Sequence, residues 1–321
     1  MADCVLTSLE PQLDSPVPFI LGVGRSGTTM LRLMLDSHSQ LAIPPETGFA
    51  EEIERRMSAG TPLAQAALGA ISDCHNAASF SLAEADLARA FADLPTDDRS
   101  GTGVGLALRA FYRLYAQRCG KARWGDKTPV HTGHIARLAR LLPEARFVHL
   151  IRDGRDVAAS IRDLWFAPSS EPAALARWWR EAIETARRQA DGLAPGTYLE
   201  VRYEDLVAHP RREFERICRW VDLTFEPKML DFHTRATERL AEIRTVRRPD
   251  GRVVITAEER RRNHELTHEP PSPRRIGRFR GVLSRHEVAA FEAEAGGLLE
   301  TLGYPLAASR WERLFARISG S

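Results

Sequence analysis

The residues best suited to chemistry lie near the start of the chain. Gly22-Val23-Gly24-Arg25-Ser26-Gly27-Thr28-Thr29 joins an apolar run to a helical pattern. Backbone N–H groups gathered at such a turn, with a helix dipole behind them, favour an anion. The glycines at 22 and 27 have the spacing of a nucleotide phosphate loop, but Thr28 stands where that loop carries its lysine. A γ-phosphate would lose its usual cationic clamp there. The positive charge has moved inside the loop, to Arg25, so a phosphate can still be held while ATP is poorly served. The alternative is a glycine-rich strand-to-helix turn with no ligand.

Lysine is scarce. Of 45 basic residues only Lys121, Lys127 and Lys228 are lysines, so each stands against a strong bias toward arginine. The cysteines at 4, 74, 119 and 218 have no metal-ligand or redox spacing, which implies reduced thiols. No cluster of metal ligands is visible, and no metal is expected.

Four segments together resemble sulfotransferases that use 3′-phosphoadenosine 5′-phosphosulfate (PAPS). Gly24-Arg25-Ser26-Gly27-Thr28-Thr29 is similar to that family's 5′-phosphosulfate loop. Phe147 to Ser160, with Arg152-Asp153-Gly154-Arg155-Asp156 at its centre, resembles the 3′-phosphate segment. Arg202-Tyr203-Glu204-Asp205-Leu206 matches the Tyr-Glu-Asp-Leu turn. Ile276-Gly277-Arg278-Phe279-Arg280 is like the late basic loop of bacterial members. The resemblance runs from about 18 to 305. Pro45-Glu46-Thr47 brings it nearest to the bacterial and tyrosylprotein-sulfotransferase branch.

The resemblance implies sulfuryl transfer from PAPS to a hydroxyl or amine by in-line displacement. It makes Gly24 to Thr29, Arg152, Ser160, Tyr203 and Arg278 donor ligands, with Arg152 and Ser160 on the 3′-phosphate. Charge grows on the bridging oxygen as its bond to sulfur breaks, and cations aimed there are the main catalytic device. Arg25 and Lys127 fit that role. Glu46 matches the glutamate that the tyrosylprotein branch uses as general base; His131 and His134, close behind Lys127, are the alternatives. Arg155 is expected to point elsewhere, as a surface or pairing residue. Trp178-Trp179 is expected to pack in the core or against a helix rather than to bind adenine.

These residues need a scaffold. Short apolar runs at 19–23, 41–43, 122–125, 146–151 and 197–201 alternate with helical patterns. That alternation predicts an α/β, P-loop-like three-layer fold: a central, mainly parallel sheet flanked by helices. Arg25, Glu46, Lys127, Arg152 and Tyr203 each follow a predicted strand, which puts all five at one edge of the sheet, where open sheets bind ligands. A single domain over 1–321 is expected. It carries a helical insertion at about 47–120, broken at 60–62, 76–81 and 94–105, and a helix beginning near Thr132. The arginine- and proline-rich segment at about 234–283 reads as an irregular excursion over the surface, with Arg244 to Arg262 a solvated face.

Composition excludes several classes. The 321 residues are 43% hydrophobic and 27% charged, with a net charge of +2. This is an ordinary globular balance without the basic excess of a nucleic-acid binder. No apolar run approaches the ~18–20 residues of a membrane helix, and Met1 to Pro18 lacks the pattern of a signal peptide, so a cytoplasmic protein is expected. Two readings compete with sulfuryl transfer. One is a P-loop kinase acting on Mg²⁺-ATP, with Asp153 as the metal-binding acid. The other is a nucleotide-binding protein that has lost its chemistry. The acceptor and the oligomeric state are not legible. Acceptor-pocket walls are expected from 47–120 and 234–283.

Overall fold

The computed structural model describes residues 15–95, 102–247, 252–262 and 264–319. Cys4, most of the Met1 to Pro18 stretch and part of the 94–105 break lie outside the described residues.

Strand β1 (Val17–Leu21) leads through the phosphate loop into α1 (Thr28–Asp36), then β2 (Leu41–Ala42). Helices α2 (Ala50–Ser58), α3 (Leu63–Ser72), α4 (Ala77–Phe80), α5 (Glu84–Phe91) and α6 (Gly103–Arg118) follow. The stretch read as a break at 76–81 is largely the single turn α4. Next come β3 (Arg123–Trp124), β4 (Asp126–Lys127), a 3₁₀ turn (Pro129–Gly133) and α7 (Ile135–Leu141). The helix expected from Thr132 thus starts three residues later, because Pro129 opens a tighter turn first. Strand β5 (Ala145–Ile151), α8 (Gly154–Ile161), α9 (Pro172–Ala190), β6 (Tyr198–Arg202), α10 (Tyr203–Ala208) and α11 (Pro210–Trp220) complete the alternation.

The strand order is β4-β1-β5-β6, and every pairing is parallel. Ile20 lies opposite both Lys127 and Val148, and Phe147 lies opposite Tyr198. Strands β2 and β3 pair in parallel, and Gly125 alone separates β3 from β4, so this pair continues the same edge. Side chains alternate across β1 and β5. Phe19, Leu21 and Phe147 join the core under α2–α7, while Ile20, Val148 and Leu150 join the core under α1, α10 and α11. Burial on both faces explains the continuous apolar runs. The three-layer α/β expectation holds.

The segment after Thr234 departs from its expectation. It contains α12 (Ala236–Leu240), a hairpin of β7 (Val246–Arg247) with β8 (Val253–Ile255), α13 (Ala257–Arg262) and α14 (Phe279–Val282). Ala236, Leu240, Ile243, Ile255 and Phe279 are buried. It is a packed wall rather than a surface excursion. Its anchors are polar and come from distant parts of the chain, which local apolar periodicity cannot reveal. The Arg239 guanidinium bonds Asp36 at the end of α1 (2.7 Å), Glu242 (2.7 Å) and the Tyr115 hydroxyl on α6 (3.0 Å). Helix α15 (Arg285–Thr301), started by a Ser284–Glu287 capping box, packs on α9, and α16 (Arg310–Ser319) packs on α15. No helix among the described residues is long and apolar enough to cross a membrane.

Candidate active site

The carboxyl ends of β1, β2, β4, β5 and β6 open into one cavity of about 1540 Å³. That exceeds the ~300–1,000 Å³ usual for one small ligand. Gly24, Arg25, Gly27, Thr28, Thr29, Glu46, Lys127, Arg152, Ser160, Tyr203 and Arg278 all line it. Ser26 does not. Its N–H closes the loop on Val23 O (3.2 Å), and its Oγ is buried without a hydrogen-bond partner. The sequence suggested a ligand there because motif spacing does not say which side of a turn faces out.

The loop's shape comes from left-handed backbone at Arg25 (φ 71°) and Gly27 (φ 95°). Alternating backbone of this kind turns successive N–H groups to one side. A non-glycine residue there stores about 1–3 kcal/mol of strain, a cost concentrated at functional sites. Gly27 is required for a second reason: a Cβ would meet the Tyr203 ring at 2.8 Å.

Arginines converge on the loop. Arg25 Nε donates to Ser160 Oγ (3.1 Å), joining two residues 135 positions apart. Arg152 donates to Arg25 O (3.1 Å) and Arg275 O (2.9 Å), and its guanidinium lies 4.5 Å from the Tyr203 ring centroid. Its Nε is buried without a hydrogen-bond partner. Burial, then the charges of Arg152, Arg275 and Arg278, push the Arg25 pKa down. Burial, then Arg278 and Arg152, does the same to Arg275. Asp156, 3.6 Å from Arg152, also accepts the N–H groups of Gly277 (2.8 Å) and Phe279 (2.8 Å). Mutually repelling guanidiniums around an outward-facing loop, with an orphaned Nε among them, fit an anion of more than one phosphate.

In the same cavity, on the strand beside β1, Lys127 forms an ion pair with Glu46 at 2.5 Å. Lys127 belongs to β4 itself instead of following the Trp124 strand, so its backbone is fixed by pairing with β1. Its side chain is 5% exposed, and that of Glu46 37%. Burial pushes the Glu46 pKa up, but the charge and hydrogen bond of Lys127 outweigh it, and the net shift is downward. The turn carrying Glu46 is pinned on both sides. Asn76 Nδ2 donates to Glu46 O (2.7 Å), and Thr47 N donates to Thr128 Oγ1 (2.9 Å). Thr47 Oγ1 also donates to the buried Asp126 (2.8 Å).

His131 and His134 do not line this cavity. His131 is buried against Asp126 (3.4 Å), and His134 pairs with Glu51 (3.0 Å). Both lie in or just after the 3₁₀ turn that follows β4, and His131 packs against Asp126, whose side chain leaves that strand on the face opposite Lys127. Two other histidines do line it. Burial, then the Lys127 charge, pushes the His264 pKa down to about 3. His75 is lowered mainly by burial and feels Glu46. Neither carried a motif; His264 arrives on the wall built by 234–283. In the same wall Arg260, read as part of a solvated face, donates to Asn76 Oδ1 (2.6 Å) and Arg244 O (2.7 Å).

Arg155 pairs, as one of its two expected modes, but it is buried. It meets Asp153 (2.7 Å) and Glu292 (2.5 Å) and stacks on Phe279 at 4.3 Å. Asp153 is thereby committed: it also accepts the Arg155 N–H (2.9 Å) as the cap of α8. The metal role it would need in a kinase is taken. Trp179 is in the core, donating to Arg152 O (3.2 Å), whereas Trp178 is half-buried and lines the cavity. Among the described residues no group of three or more His, Cys, Asp or Glu could hold a metal ion.

Comparisons with known proteins converge on one family. Protein-tyrosine sulfotransferase A of Caenorhabditis elegans is 26% identical over 247 residues, covering 75% of this chain and 58% of that protein. Nodulation protein NoeE of Sinorhizobium fredii is 29% identical over 250 residues, covering 68% and 53%. The chain spans about half the length of these relatives. In fold it resembles the sulfotransferase domain from the curacin biosynthetic pathway, with TM-score 0.61, 18% identity, and 91% of this chain and 99% of that one covered. Residues 16–227 match the sulfotransferase family as a whole, and the chain belongs to that family.

Proposed function

We propose that the protein is a PAPS-dependent sulfotransferase acting on a hydroxyl acceptor. One observation carries the reading: the phosphate loop, the arginine cluster and the Lys127–Glu46 pair share one cavity, with the cations against the loop and a carboxylate facing them. The donor would supply an activated sulfuryl group between a phosphate and the acceptor. Loop N–H groups and Arg25 would hold the 5′-phosphate; Arg152 and Ser160 would hold the 3′-phosphate. Tyr203 shapes the loop through Gly27 and stacks on Arg152, and Arg278 adds charge from the late basic loop.

In the transfer, the acceptor oxygen bonds to sulfur, the bond from sulfur to the phosphate oxygen breaks, and the acceptor proton passes to Glu46. Lys127 and Arg25 would stabilise the charge left on the phosphate oxygen, a contribution typically of about 10²–10³ in turnover. A positioned base such as Glu46 adds about 10²–10⁴. The free thiols of Cys74, Cys119 and Cys218 suit a reducing compartment such as the cytoplasm.

The test is donor discrimination followed by turnover. Adenosine 3′,5′-bisphosphate (PAP) should raise the melting temperature, and Mg²⁺-ATP should do so far less. Labelled PAPS with an extract of the host should give a labelled product. Equal stabilisation by ATP, or no transfer to any acceptor, would count against the reading.

A further inference from the structure

We infer that the acceptor is an alcohol or phenol with an extended apolar tail, rather than an acidic peptide or a sugar; this rests on the sulfotransferase reading above. The inference comes from what surrounds Glu46 on the side away from the phosphate loop. The β7–β8 hairpin and the chain before it are held there by two hydrogen bonds. Arg244 N donates to Ser79 Oγ (3.2 Å), and Arg260 donates to Asn76, which itself holds Glu46 O. This brings Ile243, Val246 and Ile255 into the cavity beside the base, opposite Phe49 and Ala70 from the helical insertion. The same strand leaves Val253 47% exposed, so apolar surface continues outward.

Charge points the same way. The carboxylates Glu46, Glu52 and Asp73 line this end. The cations near them are already engaged: Arg56 by Glu52 (2.7 Å) and Asp73 (2.5 Å), and Arg260 by Asn76 and Arg244 O. An acidic peptide would find each of these cations already held by a carboxylate, an amide or a carbonyl. A sugar needs many hydrogen-bond partners, whereas Ile243, Val246 and Ile255 offer only methyl and methylene groups. The polar neighbours are engaged, Asn76 by Glu46 O, His75 and Arg260, and Glu52 and Asp73 by Arg56. A hydroxyl at Glu46 with an alkyl tail along this strip uses both features. The cavity volume leaves room for it beside a nucleotide.

The test uses the full-length protein. PAP binding is measured first by calorimetry. Turnover with PAPS is then compared across 4-alkylphenols from methyl to octyl, a tyrosine peptide flanked by aspartates, and a hexosamine oligosaccharide. With PAP bound, kcat/KM should rise about fourfold per added methylene over the first several carbons. The octyl phenol should exceed the peptide and the sugar at least tenfold. Val246→Asp should remove most of the gain with chain length and leave the PAP Kd within about twofold. PAP binding with no dependence on chain length, or with the peptide or sugar as the better acceptor, overturns the inference and leaves the sulfotransferase reading intact. Absence of PAP binding overturns that reading, and this one with it.

Discussion

Removing the Glu46 carboxylate should tighten donor binding while it stops catalysis. Lys127 is held by Glu46 at 2.5 Å, and its side chain is almost fully buried. To act on a bound anion, Lys127 must loosen that pair, so Glu46 competes with the donor. At charge centres about 4 Å apart and an effective dielectric near 20 the attraction is about 4 kcal/mol. Glu46 is 37% exposed, so much of this is screened. A net competition of about 1–2 kcal/mol is reasonable, between a surface pair and a buried one. Glu46→Gln should therefore bind PAP about 5–30-fold more tightly, at roughly 1.4 kcal/mol per tenfold. Turnover of a hydroxyl acceptor should fall about 10²–10⁴-fold.

Acidity supplies an internal control for the same variant. The folded Glu46 pKa lies below the ordinary 4.5. Stability from its pair with Lys127 is thus present above the unfolded pKa and is lost as pH falls through the folded one. The difference in PAP affinity between wild type and Glu46→Gln should persist at neutral pH and shrink on acidification below 4.5. Calorimetry across pH, with single-turnover transfer, measures both effects. Weaker PAP binding by the variant, or turnover within a factor of a few of wild type, would refute both the competition and the role of Glu46 as base.

Other substitutions probe the remaining parts. Arg152→Ala should weaken PAP about 10–100-fold, by loss of a charged hydrogen bond, and weaken AMP much less; equal losses in titrations of both nucleotides would make Arg152 a purely structural tie between Arg25 O and Arg275 O. Lys127→Met should lower kcat about 10²–10³-fold with a much smaller change in the PAP Kd, and kcat near wild type would remove Lys127 from the reacting centre. Arg155→Met strands Asp153 and Glu292, both buried, and should cost about 3–5 kcal/mol in urea unfolding; a cost below about 1 kcal/mol would show that water reaches the pair.

Loops that follow strands were readable because chemistry there is local in sequence. Arg25 and Arg152 come soon after the buried apolar strands β1 and β5, and Tyr203 directly after the half-buried β6, so strand position fixes where they emerge. Lys127 required only that β4 be parallel to β1, and Glu46 that β2 run parallel to the strand just before β4, and both pairings are parallel. What the sequence hid depends on long-range contacts. Asn76, Asp126 and Thr128 steady Glu46 through bonds made 30 to 81 positions away. Their residue types are ordinary for loops, and nothing in their spacing marks them. His264 and Arg260 sit in a segment whose composition reads as solvated, because its anchors are side chains of Asp36, Asn76 and Tyr115 in other elements. The histidines after Lys127 gave the opposite error. They are near it in sequence, but the 3₁₀ turn opened by Pro129 carries them to Asp126 and Glu51, away from the cavity.

The Arg239 contact with Asp36 gives the molecule an unusual modular seam. Asp36 ends the helix that begins at the phosphate loop, and Arg239 begins the segment that walls the far side of the cavity. One guanidinium therefore sets the spacing between the helix behind the phosphate loop and the wall that faces it across the cavity. At the other end of that wall Arg152 grips the Arg275 carbonyl, so the wall is a strap riveted at two points, each rivet a single guanidinium.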